Sequence, residues 1–328
     1  MDDQQKVDFE LVYFHGANTT SWKESQVAKP SVHTPVYLSE YFSEAGTYGA
    51  WVYPVFLNRN AKVFSWYSKE DVLSLKGDTY YQDDTMELLA DLYSEAENGP
   101  WFNLWAMGHQ YYDKRTIPSL KRILLNEMGD YEGDLREADL PQNVNDFLGL
   151  RTSTLRYPIY HGGAAECAFS QADRSAAKFI HEEAKKAGYS SFHDMIVVNK
   201  TNGDLDFYRL KKMMYADIID ALATDTYPIS YMSLRRPLYL AIQKKGYSVI
   251  RDSGSDGENH EDEIVIIDKA GLDSILSSPI PGRGTRTKED MGPVLQNIAT
   301  YLIQNDRITR DEFERILNNG ISASMRTN

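Results

Sequence analysis

The chain has 328 residues, 42% of them hydrophobic, and a formal net charge of -13 at pH 7. That apolar content sustains a substantial core in one large or two ordinary domains and excludes a disordered chain. The excess of 48 acidic over 35 basic side chains opposes general binding to a phosphate backbone, and the single cysteine, Cys167, excludes an intramolecular disulfide and a cysteine-based zinc cluster.

A reducing compartment is the expectation. No stretch approaches the roughly 18–20 apolar residues of a membrane helix, and the opening MDDQQKVDFE is polar and acidic, unlike a signal or transit peptide. A cytoplasmic protein is expected, or one delivered by other machinery. With 22 Tyr and 12 Phe, the chain has more rings than a bare core demands, which leaves some to line a pocket.

In chain order, DFELVYFHG alternates Phe9, Leu11 and Tyr13 against Glu10, Val12 and Phe14, a strand closing at a glycine turn. TPVYLSEYFSEAGTYGA (34–50) follows, with serine-glutamate steps and Ala45-Gly46 predicting a short helix that ends near Tyr48. YGAWVYPVFLN reads as the next strand.

From about residue 82 the texture is helical. DDTMELLADLYSEAENG sets Met86, Leu89, Leu92 and Tyr93 at helical spacing, and IPSLKRILLNEMGD runs from Pro118 to Gly129. Helices are also predicted in AFSQADRSAAKFIHEEAKKAGY, closed by Gly188, and in YRLKKMMYADIIDALATD, with one strand at DMIVVN. RRPLYLAIQKKGYSVIRDSG reads as helix, Gly246, strand, and DEIVIID as an internal strand. After Pro281 a PGRGTRT loop leads to two helices, the second with capping-box spacing from Thr309 to Glu312 and Gly320 to close it. No repeat period is visible. The β-rich segments flank a helical middle, as if one sheet were interrupted by an insertion: 1–80, 81–235, 236–280 and a helical tail 281–328.

Three constellations can carry chemistry. His15-Gly16 ends the first strand; alone, such a histidine reads as a satisfied structural residue, but a glycine beside it lets a ligand approach the backbone. The dipeptide recurs at His161-Gly162. Tyr37 and Ser39, with Tyr48 eleven residues after Tyr37, read either as packing rings or as a clamp for a planar, electron-poor heterocycle. In HEDEIVIID, alternation puts Glu261, Glu263, Val265 and Ile267 on one face and Ile264, Ile266 and Asp268 on the other. A carboxylate at the mouth of a buried strand is costly without a partner or a task.

His-Gly closing a first strand, Tyr-x-Ser with a second tyrosine eleven residues on, and a glutamate opening a late internal strand together resemble the mono-ADP-ribosyltransferase superfamily, in its diphtheria-toxin-like His-Tyr-Glu branch. WVYPVFLNRNAKVFSW is similar to the strand after the tyrosine segment, and KKGYSVIRDSGSDGENHEDEIVIIDKAGLDSI to the helix, Gly-Tyr, strand, loop and Glu-strand run of such domains. The likeness covers residues 8–76 and 236–276 and departs from the family in the large helical insertion.

The resemblance implies an α+β fold with a split antiparallel sheet and NAD as substrate. It implies that His15 binds a ribose, Gly16 the nicotinamide carboxamide, and Tyr37 and Tyr48 the two faces of the nicotinamide ring. Ser39 would support the site floor, and Glu263 would face the anomeric carbon. Glu261 reads either as the first glutamate of a Glu-x-Glu, as in arginine-directed relatives, or as part of a solvated EDE run. The expected partner is a protein target, reached in a bacterial or host cytoplasm by an effector- or phage-type enzyme.

Other candidates carry less. His109, His161, His181, His193 and His260 lack metal-ligand spacing, so no metal is expected. PGRGTRT follows no recognised strand. The acidic loop with Asp256, Glu258, Glu261 and Asp262 lacks the calcium-loop pattern, and Cys167 reads as a small buried residue. Two rivals remain: a non-catalytic structural or virion-type protein with a transferase-like fold, and an NAD glycohydrolase toxin with water as acceptor.

Overall fold

The computed structural model describes residues 12–21, 29–39, 42–95, 171–198, 207–227, 236–253, 262–275, 280–282, 298, 300–304, 309 and 311. They form a mixed α+β protein that divides into two compact units, one from residues 1–64 and 243–328, the other from residues 65–242. The chain's two ends thus build one unit and its middle the other.

Unit 1 holds two four-stranded sheets. In the first, β1 (Val12–Ala17), β3 (Trp51–Leu57) and β7 (Leu272–Ile275) lie in that order, and β8 (Ile280–Pro281) also pairs with β3. Strand β1 runs through Gly16 instead of turning there, because Gly16 pairs with Val52 and Ala17 with Trp51. Pro54 cannot donate to a ladder, and it falls where that edge of β3 is interrupted, between Val52, the last residue paired with β8, and Val55, the first paired with β7.

The second sheet runs β2 (Ser31–Leu38), β6 (Asp262–Asp268), β5 (Val249–Ser253), β4 (Val63–Ser65). Strand β2 corrects the sequence reading, which placed only a helix in 34–48: the chain is extended to Leu38, and α1 (Phe42–Tyr48) begins after it. Val36 and Leu38 are drawn into a core with Tyr13, Val55, Val249, Ile264 and Ile266, whose burial outweighs the weak local signal. Pro35 is tolerated because β2 is an edge strand, at an irregularity of register between Ser31 and Val36. Tyr37 therefore lies on a strand. Tyr41, which a helical reading sets one turn after it, is outside the described residues.

The opposite face of the first sheet packs Val12, Phe14, Val52 and Phe56 against Ala45 of α1 and against Ile298 and Leu302 of the tail. The tail is helical at 298 and 300–304 and belongs to the core of unit 1. Tyr301 packs its ring on Phe56 at 4.2 Å between centroids, donates its hydroxyl to the Asp273 carboxylate at 2.6 Å and accepts from the Ser274 hydroxyl. Tyr301→Phe is expected to lower the stability of unit 1 by about 1 kcal/mol, read as a shift of the urea midpoint. The predicted helix around 312–320 is outside the described residues, as is that of 118–129.

Unit 2 contains α2 (Lys69–Leu73), α3 (Asp83–Glu95), α4 (Gln171–Lys186), α5 (Phe192–Val198) and α6 (Phe207–Ala223), and most of α7 (Arg236–Lys244). Residues 65–80 join this unit because Trp66, fully buried, meets the ring of Tyr93 at 5.5 Å and α2 packs on α3. Helix α6 packs on α3, α4 and α5 with Leu210, Met213, Met214, Ile218, Ile219 and Leu222 all buried. Of the predicted strand DMIVVN, the described residues 194–198 are helical in α5, not extended as their composition predicts. Ser191 Oγ accepts from the Asp194 amide at 3.0 Å, Asp194 accepts from the Ser190 amide at 2.8 Å, and Phe192, Met195 and Ile196 bury one helical face. Gly188 (φ +97°) closes α4 and Gly246 (φ +84°) follows α7, as their spacing predicts. Among the described residues no helix is long and apolar enough to cross a membrane.

Candidate functional site

The six candidate residues all fall in unit 1, four of them around the junction of β1 and β2, with Tyr48 on α1 and Glu263 on β6. His15 is opposite Tyr53 on β3, whose buried hydroxyl donates to the Thr19 carbonyl at 2.7 Å. His15 donates its Nδ1–H to the carbonyl of Tyr37 at 2.9 Å, a tie between the two sheets. Burial lowers the His15 pKa below its ordinary value, against the smaller raising effect of that bond. The neutral ring, with its proton on Nδ1, presents Nε2 as an acceptor, suited to a hydroxyl donor such as a ribose.

One residue along, the sheets join. The Phe14 amide donates to the Ser39 carbonyl at 2.8 Å and the Ser39 amide to the Phe14 carbonyl at 2.9 Å. Ser39 is buried. On the other side of β2, Tyr37 pairs with Val265 and Leu38 with Ile264. The register ends at Leu38, and Glu263 directly precedes Ile264 on β6.

Paired residues share a face, and faces alternate along a strand. Positions 37 and 265 therefore share one face of the second sheet, opposite the core face of Val36, Leu38, Ile264 and Ile266. Strand β5 adds Ile250 to that face, and its position 252 pairs with position 263. Sequence reasoning missed Asp252, because only the pairing of β5 with β6 brings it there.

Tyr48 ends α1 and is 53% exposed. Glycines seat this helix. A Cβ on Gly16 would lie 1.9 Å from the Ala45 carbonyl oxygen and 3.1 Å from the Gly49 nitrogen, so Tyr48 sits one residue from the atoms that crowd Gly16. A Cβ on Gly49 would lie 2.3 Å from the Ala17 nitrogen, one on Gly46 2.5 Å from the Gly282 oxygen, and one on Gly282 2.6 Å from the Gly49 oxygen. The side-chain space at Gly16 is thus taken by α1, which gives this glycine a packing role beside the ligand role implied by the motif. Gly282 follows strand β8 and donates its amide to the Ala50 carbonyl at 2.7 Å, so a strand does precede the GRG sequence. The sequence signal for this seat was the density of glycine in 46–49, beside a helix too short to need them.

Glu261, Asp256, Glu258, Cys167, His109, His161 and His260 are outside the described residues. Among the described residues no group of three or more His, Cys, Asp and Glu is arranged to hold a metal ion. No family model, curated protein or solved structure matches the chain.

Chemically, the candidate positions offer an acceptor nitrogen, a buried hydroxyl, two tyrosines and a glutamate near the start of β6. Such a set suits a ligand that combines hydroxyls with a flat ring.

Proposed function

We propose that this chain is an NAD-dependent mono-ADP-ribosyltransferase that moves ADP-ribose to a protein acceptor, with a split antiparallel core of the His-Tyr-Glu kind in unit 1 and a helical insertion that selects the target. The observation that carries this reading is the chain of registers from β6 through β2 to β1. It ties β6, on which Glu263 precedes Ile264, to Tyr37 of β2, and ties Tyr37 and Ser39 to His15 and Phe14 of β1, segments far apart in the sequence.

In this reading Tyr37 and Tyr48 hold the nicotinamide ring, Gly16 its carboxamide and His15 a ribose hydroxyl, with Ser39 beneath. The bond between nicotinamide and ribose breaks, its electron pair leaves with nicotinamide as a neutral molecule, and positive charge develops on the ribose, as in glycoside hydrolysis. Glu263 stabilises that charge first and serves the acceptor as base second, so that the acceptor's lone pair closes on the anomeric carbon as its proton departs.

Incubation with labelled NAD tests the proposal: nicotinamide release and labelling of a protein in a host lysate are expected. Absence of both overturns it. Release without any labelling would instead identify a glycohydrolase, with water as acceptor.

A second reading is favoured by the seat of α1 and the tie of His15 to Tyr37, which explain Gly16 and His15 by packing alone: a structural or interaction protein that keeps the fold without NAD chemistry. Thermal shift separates the two, since NAD at 100 times its Kd stabilises a binding-competent unit by about 2.7 kcal/mol.

A further inference from the structure

Unit 2 buries a second cluster of titratable groups that the proposed chemistry leaves unused. Helix α6 carries Asp217 and Asp220 three residues apart, hence on neighbouring positions of one face. Asp220 meets His181 Nδ1 of α4 at 2.6 Å and accepts from the amides of Phe192 at 3.1 Å and His193 at 2.8 Å, satisfying two donors at the start of α5. Asp217, wholly buried, accepts from Thr85 Oγ1 at 2.7 Å and from the Gln82 amide at 3.0 Å. Its other oxygen lies 2.5 Å from His193 Nδ1. On the far side of the ring, His193 Nε2 lies 2.9 Å from Asp84 of α3, whose side chain is 48% exposed.

Both ring nitrogens of His193 thus face carboxylates. A neutral imidazole has one N–H and would turn a lone pair on one of them; only the imidazolium faces both with an N–H, in a hydrogen bond to Asp84 at Nε2 and in an ion-pair contact with Asp217 at Nδ1 that lacks hydrogen-bond geometry. Helix α5 has seven residues, too few to persist without tertiary support. Its support is Asp220 at its start, His193 between α3 and α6, and the apolar side chains of Phe192, Met195 and Ile196.

We propose that α5 is a proton-linked latch: protonated His193 clamps it between Asp84 and Asp217, and loss of that proton releases the helix while α6 stays folded. The electrostatics agree in sign. Burial alone would lower the His193 pKa, but Asp217 and then Asp84 raise it to about 9. Burial raises the Asp217 carboxyl, against its contact with His193 and the hydrogen bonds from Thr85 and Gln82. Tyr81, raised by burial and then by the charge of Asp217, and Tyr215, raised by burial and then by Tyr81, stay neutral throughout.

A histidine whose folded pKa exceeds the unfolded value of about 6.5 contributes fully below 6.5 and loses its contribution as pH rises to about 9. That window corresponds to a change on the order of 10²- to 10³-fold in the docking equilibrium. Asp217, whose carboxyl is also raised, has the same sign.

Hydrogen exchange on the full-length protein between pH 6.5 and 9.5, expressed as protection factors, tests this. Protection of α5 is expected to fall at least about tenfold across that range while α6 keeps its own. Asp84→Asn, at a half-exposed position that leaves the inner pair intact, should move the midpoint to lower pH. His193→Gln should give low α5 protection with no pH dependence; should that variant not fold, Asp84→Asn alone decides. Constant α5 protection, an Asp84→Asn midpoint equal to wild type, or a parallel loss in α5 and α6 would each overturn the latch.

Discussion

Replacing Glu263 with glutamine is expected to cut nicotinamide release from NAD by on the order of 10²- to 10³-fold, or about 3–4 kcal/mol of transition-state stabilisation. Glutamine keeps the size of the side chain and removes its charge, so the loss isolates electrostatics from packing. The ribose becomes cationic only as the nicotinamide bond breaks, and an interaction made only then appears in kcat with little change in KM. The melting midpoint should stay near that of wild type, since position 263 is the second residue of β6 and the strand's core face is formed by Ile264 and Ile266. Steady-state kinetics with labelled NAD provide the measurement. An unchanged rate would remove Glu263 from the mechanism, and an effect confined to KM would make it a binding group.

Gly16→Ala should be the most damaging single methyl in unit 1. The added Cβ would lie 1.9 Å from the Ala45 oxygen, 3.0 Å from its carbon and 3.1 Å from the Gly49 nitrogen. All three are backbone atoms, so no side chain can rotate away, and α1 must back off from β1. Overpacking of this kind costs about 1–3 kcal/mol, and this site belongs at the upper end. The shift of α1 would also carry Tyr48 away, weakening NAD binding. Urea unfolding followed with NAD titration distinguishes the two roles of this glycine. A variant as stable as wild type but unable to bind NAD would point to ligand approach alone; wild-type stability together with wild-type binding would contradict the seat of α1.

Local pattern was sufficient where an element's signal lay within its own residues. The alternation leading into VYFHG, the β-branched and aromatic run WVYPVFL, the helical spacing of Met86, Leu89, Leu92 and Tyr93, the apolar run of β6, and Gly188 and Gly246 after their helices are properties of neighbouring side chains. Strand β2 was not legible, because SVHTPVYL contains a proline and alternates poorly; it is extended because β6 pairs with it. Helix α5 was misread because its β-branched residues favour a strand, whereas the capping and anchoring carboxylates come from Asp194 and from Asp220 on α6.

The boundary between units moved for a similar reason. Trp66 reads as part of a β segment, but its burial against Tyr93 assigns it to the helical unit. Likewise the tail read as a separate appendage, and only the packing of Leu302 and Tyr301 on the first sheet reveals it as core.

For the candidate site, the residue types and their order were legible before any fold: His15-Gly16, Tyr37, Ser39, Tyr48 and, far along, Glu263. The acidic charge and the single cysteine were legible too, as facts independent of any fold. Long-range packing alone set the pairing of β2 with β6, the bridge from Ser39 to Phe14 of β1, the pairing of position 252 with position 263, the filling of the space beside Gly16 by α1, and the place of His193 between two carboxylates. These are long-range pairings, set by which distant surfaces bury each other, and local periodicity carries no information about them.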